Sequence, residues 1–158
     1  MFFLISDCDT SRAEIQIKAK PEFKAKIIEA LEFMKKKSPS HYRMVNDYVV
    51  EIIEDPRSGA QVKAKVVKLS QRSCPDVYWC SSVIYHEAAH MMLYEEGKEH
   101  SGYKGERAAN KLQLKYLYRV KAPKYMKDHL KVWIQKGNHF DLDGDGDYDW
   151  DDYYLRDY

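Results

Sequence analysis

The sequence predicts an α+β domain in which a small mixed or antiparallel sheet packs on helices. Two short stretches, 13–19 and 61–69, alternate apolar and polar residues as half-buried strands do. Longer stretches repeat apolar residues at spacings of three and four, which places those residues on one face of a helix. A chain of 158 residues is long enough to form one domain with its own hydrophobic core.

The first predicted helix follows the first strand almost directly. Pro21 occupies the first helical position, where proline is favoured because its missing N–H needs no partner. Apolar residues at helical spacing continue to about Lys37. The Ser-Pro-Ser sequence at 38–40 ends this helix, and we assign no element between it and residue 48. Residues 1–5 are too few for the apolar core of a signal sequence and lack its basic flank, so we interpret them as a strand.

A predicted hairpin follows in the middle of the chain. The apolar stretch 48–54 is a strand candidate, and residues 55–59 have the Asp, Pro, Ser and Gly composition of a turn. The alternating stretch 61–69 is the second strand of this hairpin.

Three further helices are predicted in the second half. One covers 79–96 and ends near Gly97, one covers 105–119, and the last begins at Pro123 and ends at Gly137.

Composition limits the possible partners and location. The net charge of +1 gives no reason to expect nucleic acid, and no apolar run is long enough to span a membrane. We expect a monomer. If Met1 is the native start, the default location is the cytoplasm, whereas a mature secreted form would have the same sequence.

Cys74 and Cys80 could form a disulfide in an oxidising compartment, and we expect them to be reduced in the cytosol. Cys8 is most simply a small apolar residue.

The most informative motif lies within the helix predicted at 79–96. His86 and His90 are four residues apart, so both imidazoles lie on one helix face and can bind one metal ion. Glu87 follows the first of them and can accept a proton from a water on that ion. Histidine pairs of this kind bind Zn²⁺, which acidifies a bound water.

A catalytic zinc site needs a third protein ligand. Position 96, where one class of zinc peptidase has its third histidine, is Glu96 here and excludes that class. His100 and Glu106 remain as candidates. His100 lies in a polar, turn-like segment, whereas Glu106 begins a new helical pattern whose small residues allow a close approach between helices.

The pattern of His86, Glu87 and His90 followed by Glu106, Ala109 and Asn110 resembles the gluzincin metallopeptidases. It is most similar to the minigluzincins and the ImmA/IrrE-type peptidases, and the resemblance covers roughly residues 60–120. It implies a zincin-like fold, with zinc bound by the two histidines and Glu106. The implied reaction is hydrolysis of a peptide or protein substrate through a zinc-bound water, with Glu87 as general base and then acid.

Two details of the implied site stay open. By the same resemblance, the strand at 61–69 is a candidate to pair with an extended peptide, although a plain hairpin strand fits its sequence equally well. An oxyanion donor is expected, and Tyr103, Tyr116 and His129 are all candidates.

A second motif lies near the end of the chain and matches the calcium loop of EF-hands. Gly146 occupies the position of the sharp turn, and the final position is Asp rather than the usual Glu. The six predicted Ca²⁺ ligands are Asp141, Asp143, Asp145, Asp147, Asp149 and Asp152. No second loop of this kind exists in the sequence to pair with it, so we expect a structural or dockerin-like role. The domain division is therefore a catalytic domain at 1–140 and a calcium loop and tail at 141–158, with a disordered acidic tail as the alternative for the latter.

Two classes of function remain. One is a zinc metalloendopeptidase, and the other is a non-catalytic zinc- and calcium-binding interaction module with a dockerin-like tail. Glu87 favours the enzyme, because a structural zinc site has no use for a base at that position.

Overall fold

The computed structural model describes residues 13–136 of the chain. The strand predicted at 1–5, Cys8, the helix end at Gly137 and the calcium loop at 141–152 lie outside these residues and stay predictions.

The described chain is an α+β domain with one mixed, four-stranded sheet packed on helices. The strands are β1 (Gln16–Lys18), β2 (Glu51–Glu54), β3 (Gly59–Gln61) and β4 (Val66–Leu69), in the spatial order β1-β2-β4-β3. The pairings of β1 with β2 and of β2 with β4 are parallel, and β3 is antiparallel to β4. The coarse prediction of a small sheet on helices is confirmed.

Five α-helices and one 3-10 turn complete the described fold. The helices are α1 (Pro21–Lys37), α2 (Pro39–Tyr48), α3 (Val77–Glu95), α4 (Gly102–Arg119) and α5 (Lys124–Lys136), and the 3-10 turn is Gln71–Ser73. Helices α1, α3, α4 and α5 confirm the predicted ones within a few residues at each end. Pro21 begins α1, as its sequence position indicates.

The predicted hairpin is wrong. Strand β2 pairs with β4 in parallel, with Ile52 beside Val67, and the antiparallel partner of β4 is β3. The stretch 61–69, predicted as one strand, contains the end of β3, a turn and β4. The turn is possible because Lys65 has a left-handed φ of 57°, a conformation that no alternation pattern reveals.

The second correction is helix α2, for which we predicted no element. Ser38 does end α1, but Pro39 then takes the first position of a new helix. Val45 is the single fully buried residue of this helix, and Tyr42, Met44 and Tyr48 are partly buried against the core.

Helix α3 lies at the centre of the domain. It packs against α1, α2, α4, β3 and β4, and residues on all its faces are buried. The core around it includes Ile27, Met34, Ile52, Val67 and Ile84. Because α3 is enclosed on most sides, the polar residues of its motif lie inside the protein. Among the helices between residues 13 and 136, none is both long enough and apolar enough to cross a membrane.

A disulfide joins Cys74 to Cys80 at the start of α3. Both cysteines are buried in the core. The bond connects the segment after the 3-10 turn to the first turn of α3. The two cysteines are thus joined in the structure, whereas we expected them to be reduced in the cytosol.

Candidate metal centre

Helix α3 positions the two histidines. The helix begins at Asp76, whose carboxylate accepts a hydrogen bond from the Trp79 N–H at 2.9 Å and so caps the first turn. Two turns later His86 and His90 lie on one face, with ring centroids 4.8 Å apart and Nε2 atoms 3.1 Å apart. Both side chains are buried. The helical spacing therefore brings the two nitrogens together, as the sequence predicts.

Helix α4 brings Glu106 to the same point. Its Oε2 lies 3.2 Å from Nε2 of His86, and its Oε1 lies 3.6 Å from Nε2 of His90. Ala109 is fully buried on α4 one turn further on, where a larger side chain would separate the two helices. Glu106, and not His100, is thus the third side chain that joins the two histidines in the described part of the chain.

His100 contributes its backbone instead of its ring. The ring packs edge-on against Tyr94, with centroids 4.9 Å apart. Its carbonyl oxygen accepts a hydrogen bond from Nδ1 of His90 at 2.5 Å. Since a carbonyl can only accept, the proton of His90 is on Nδ1, and Nε2 is directed toward His86 and Glu106.

The geometry of the three side chains fits a metal ion. Zinc bound tetrahedrally at about 2.0–2.1 Å needs ligand atoms about 3.3 Å apart. The two imidazole nitrogens here are 3.1 Å apart, and the two carboxylate oxygens of Glu106 lie 3.2 Å from the nitrogen of His86 and 3.6 Å from that of His90. Two imidazoles and one carboxylate are also the donor set of known catalytic zinc sites. A buried group of His86, His90 and Glu106 could therefore hold a metal ion, and its chemistry is compatible with zinc.

The charges of the site are strongly coupled. Burial alone would lower the pKa of His90, but the charge of Glu106, a hydrogen bond to Glu106, the charge of Glu87 and the His100 carbonyl raise it to about 9. Burial alone would raise the pKa of Glu106, but the two histidines hold it well below its usual value. Without a metal ion, the site therefore contains an imidazolium and a carboxylate that neutralise one another.

Glu87 is buried beside the ligands, one residue after His86 on α3. Its charge is one of those that raise the pKa of His90, so its carboxylate is within electrostatic reach of that ring.

The oxyanion candidates occupy three different environments. The hydroxyl of Tyr116 is buried and donates to Oγ of Ser81 at 2.9 Å, which gives it a structural role. His129 lies between Trp79 and Trp133, with ring centroids at 6.1 and 4.5 Å. Tyr103 lines an open cavity of about 490 Å³ that His100 also lines. None of His86, Glu87, His90 and Glu106 lines this cavity, so it selects none of the three candidates.

The sequence motifs did not reveal the polar contacts that align α3 with α4. Besides the Tyr116 bond, Nε2 of Gln113 donates to Oγ of Ser82 at 2.9 Å. Asn110 is also buried on this face, and among the described residues its Nδ2, like Nδ1 of His86, has no hydrogen-bond partner. The sequence does contain a pattern that indicates a polar face on α4, since Glu106, Asn110 and Gln113 recur at spacings of four and three.

No protein-family model, curated protein or solved structure matches this chain. The resemblance to gluzincins therefore depends on the two motifs and on the geometry that they adopt.

Proposed function

We propose that this protein is a zinc-dependent metallopeptidase of gluzincin type. The observation that carries the proposal is the convergence of His86, His90 and Glu106 at separations that suit one tetrahedral ion, with the Glu87 carboxylate buried beside them. A purely structural site needs the three ligands but gives no reason to bury an additional acid next to them.

Each step of the proposed peptide hydrolysis can be assigned to particular residues of the site. A zinc ion bound by the three ligands would supply a Lewis acid that polarises a carbonyl and lowers the pKa of water. Glu87 accepts the proton of the attacking water and then delivers it to the leaving amine nitrogen. The hydrogen bond from His90 to the His100 carbonyl holds the imidazole so that Nε2, and not Nδ1, is the ligand atom.

The proposed substrate is a peptide or a protein segment in extended conformation. Strand β3 is at the edge of the sheet and packs against α3, which carries the histidines. Within residues 13–136 no strand pairs with its outer side, so its backbone can bind an added strand. Most of the stretch 61–69 is not available for this pairing, because β4 lies between β2 and β3.

The decisive experiment replaces Glu87 by glutamine. Glu87→Gln keeps the size of the side chain and all three zinc ligands, so we expect one zinc per chain and a loss of peptidase activity of about 10²–10⁴-fold. Zinc content is measured by mass spectrometry of the metal, and activity on a fluorogenic peptide library with and without chelator. Glu95→Gln, the same change at the exposed end of α3, is the control and should retain activity.

Two results would contradict the proposal in different ways. If wild-type protein binds zinc but cleaves no peptide at any length in the library, the non-catalytic zinc- and calcium-binding module becomes the better description. If Glu87→Gln loses its zinc, Glu87 is a ligand and its assignment as a base is wrong.

We further propose that the C-terminal aspartates form a single calcium site. The sequence alone carries this part, because residues 141–152 lie outside the described structure. Five aspartate side chains, with the backbone carbonyl of Asp147 as a sixth ligand and Gly146 at the turn, match the ligand spacing that Ca²⁺ needs in an EF-hand loop.

A further inference from the structure

The loop between α3 and α4 is attached to the metal centre through one backbone atom. The carbonyl of His100 accepts the hydrogen bond of His90 Nδ1 at 2.5 Å. This bond fixes which ring nitrogen carries the proton and the plane in which the ring lies. The position of the His100 backbone therefore sets the direction of a zinc ligand.

The His100 backbone is in turn held by Gly105. A Cβ atom at position 105 would lie 2.7 Å from the His100 oxygen and 3.0 Å from its Cα, and closer still to its carbonyl carbon. These are backbone atoms that no rotamer change can move aside. Gly105 is buried in the first turns of α4, directly before Glu106. Only a residue without a side chain allows this turn to approach His100 so closely.

We propose that Gly105 is a positioning residue of the metal centre, which seats the His100 carbonyl against His90 and at the same time places Glu106 opposite it. The inference rests on the proposed metal site but not on peptidase activity. One turn of α4 thus delivers one ligand directly and orients another through a backbone contact. His100 takes part through its carbonyl, so the identity of its side chain is unimportant for zinc binding.

The expected effect follows from the partner that His90 would lose. An added methyl group at position 105 must push the His100 carbonyl away from Nδ1 or move Glu106 out of place. Loss of such an outer hydrogen bond weakens metal binding by about 10–100-fold. We therefore expect Gly105→Ala to bind zinc 10–100-fold more weakly than wild type, and His100→Ala to bind it within about twofold of wild type.

The test measures zinc affinity by competition with a chromophoric chelator, and the ligand field by the visible spectrum of the Co²⁺-substituted protein. Gly105→Ala should change both. The matched control is Gly102→Ala, the same substitution on the same helix, where a Cβ would meet nothing within 4 Å. Its positive φ of 62° makes the change destabilising, so a loss of stability alone should leave the Co²⁺ spectrum at the wild-type form.

Three outcomes would overturn the inference. Wild-type affinity and spectrum in folded Gly105→Ala would show that the close approach does not position the ligands. A tenfold loss in His100→Ala would assign the role to the side chain. If Gly105→Ala does not fold, NMR of zinc-loaded wild type can identify which nitrogen of His90 binds the metal. Coordination through Nδ1 contradicts the proposal, and a protonated, hydrogen-bonded Nδ1 supports it. A lack of peptidase activity alone would refute the proposed enzyme. The zinc affinity, the Co²⁺ spectrum and the NMR result would still test the role of Gly105.

Discussion

Zinc loading should depend steeply on pH, because His90 must lose a proton before its Nε2 can bind an ion. Glu106 and Glu87, opposed by burial, place the pKa of this imidazole at about 9 in the metal-free site. At pH 7 the solution is two pH units below that pKa, which weakens apparent zinc binding about a hundredfold. The affinity should rise about tenfold for each pH unit up to about pH 9 and then become constant.

The same pKa determines how the metal-free protein responds to pH. The folded-state pKa of His90 is raised above its ordinary value of 6.5, so the imidazolium contributes its full stabilisation below about pH 6.5. That contribution is lost as the pH rises through about 9. Metal-free protein should therefore become less stable between about pH 6.5 and 9. The apparent affinity for zinc should rise over the same pH interval.

The assay combines chelator competition between pH 6.5 and 9 with calorimetry in buffers of different ionisation enthalpy. Near pH 7 we expect close to one proton released for each zinc bound. Glu87→Gln is the informative variant, since it removes a charge that raises the pKa of His90 and leaves the ligands in place. Its affinity should reach the plateau at a lower pH. An affinity that is constant from pH 7 to 9, with no proton release, would refute the reasoning.

The remaining predictions concern the third ligand, the disulfide and the calcium loop. Glu106→Ala should weaken zinc binding far more than His100→Ala in the same chelator titration, and the reverse order would make His100 the ligand. Replacing both disulfide cysteines by serine should cost about 2 kcal/mol in urea unfolding, because the bond closes a loop with a sequence separation of only 6; an unchanged midpoint would contradict this. Ca²⁺ at a hundredfold excess over Kd should add about 2.7 kcal/mol of stability, measured as a rise in melting temperature, and Asp141→Ala with Asp145→Ala should abolish the rise.

The sequence predicted the parts of the site that depend on local geometry. His86 and His90 meet because four residues make one helical turn, whatever surrounds the helix. Glu106 was a choice between two candidates, and small residues on a second helix indicated the one that the structure places beside the two histidines. Nothing local indicated that the His100 backbone would bond to His90, because that contact depends on how the loop returns between two packed helices.

The parts that the sequence did not predict are set by distant contacts. A strand carries no mark of its partner, so the parallel pairing of β2 with β4 follows from the packing of the whole sheet on α3. Helix α2 was missed because the Ser-Pro-Ser sequence was interpreted only as the end of α1, whereas a proline also fits the first position of a new helix. Whether Cys74 and Cys80 are joined depends on their approach in space and on the redox state around the protein.

The contact between α3 and α4 has two kinds of polar link with different dependence on metal. At one end, the bonds from Tyr116 to Ser81 and from Gln113 to Ser82 are neutral, buried and complete without an ion. At the other end, Glu106 faces two histidines, whose charges and hydrogen bonds compensate its burial in the metal-free protein, and an ion would do so in the loaded protein. The neutral bonds keep the two helices in register when the metal is absent. Metal binding should therefore act mainly on the first turns of α4, which carry Glu106, and on the loop that carries the His100 carbonyl.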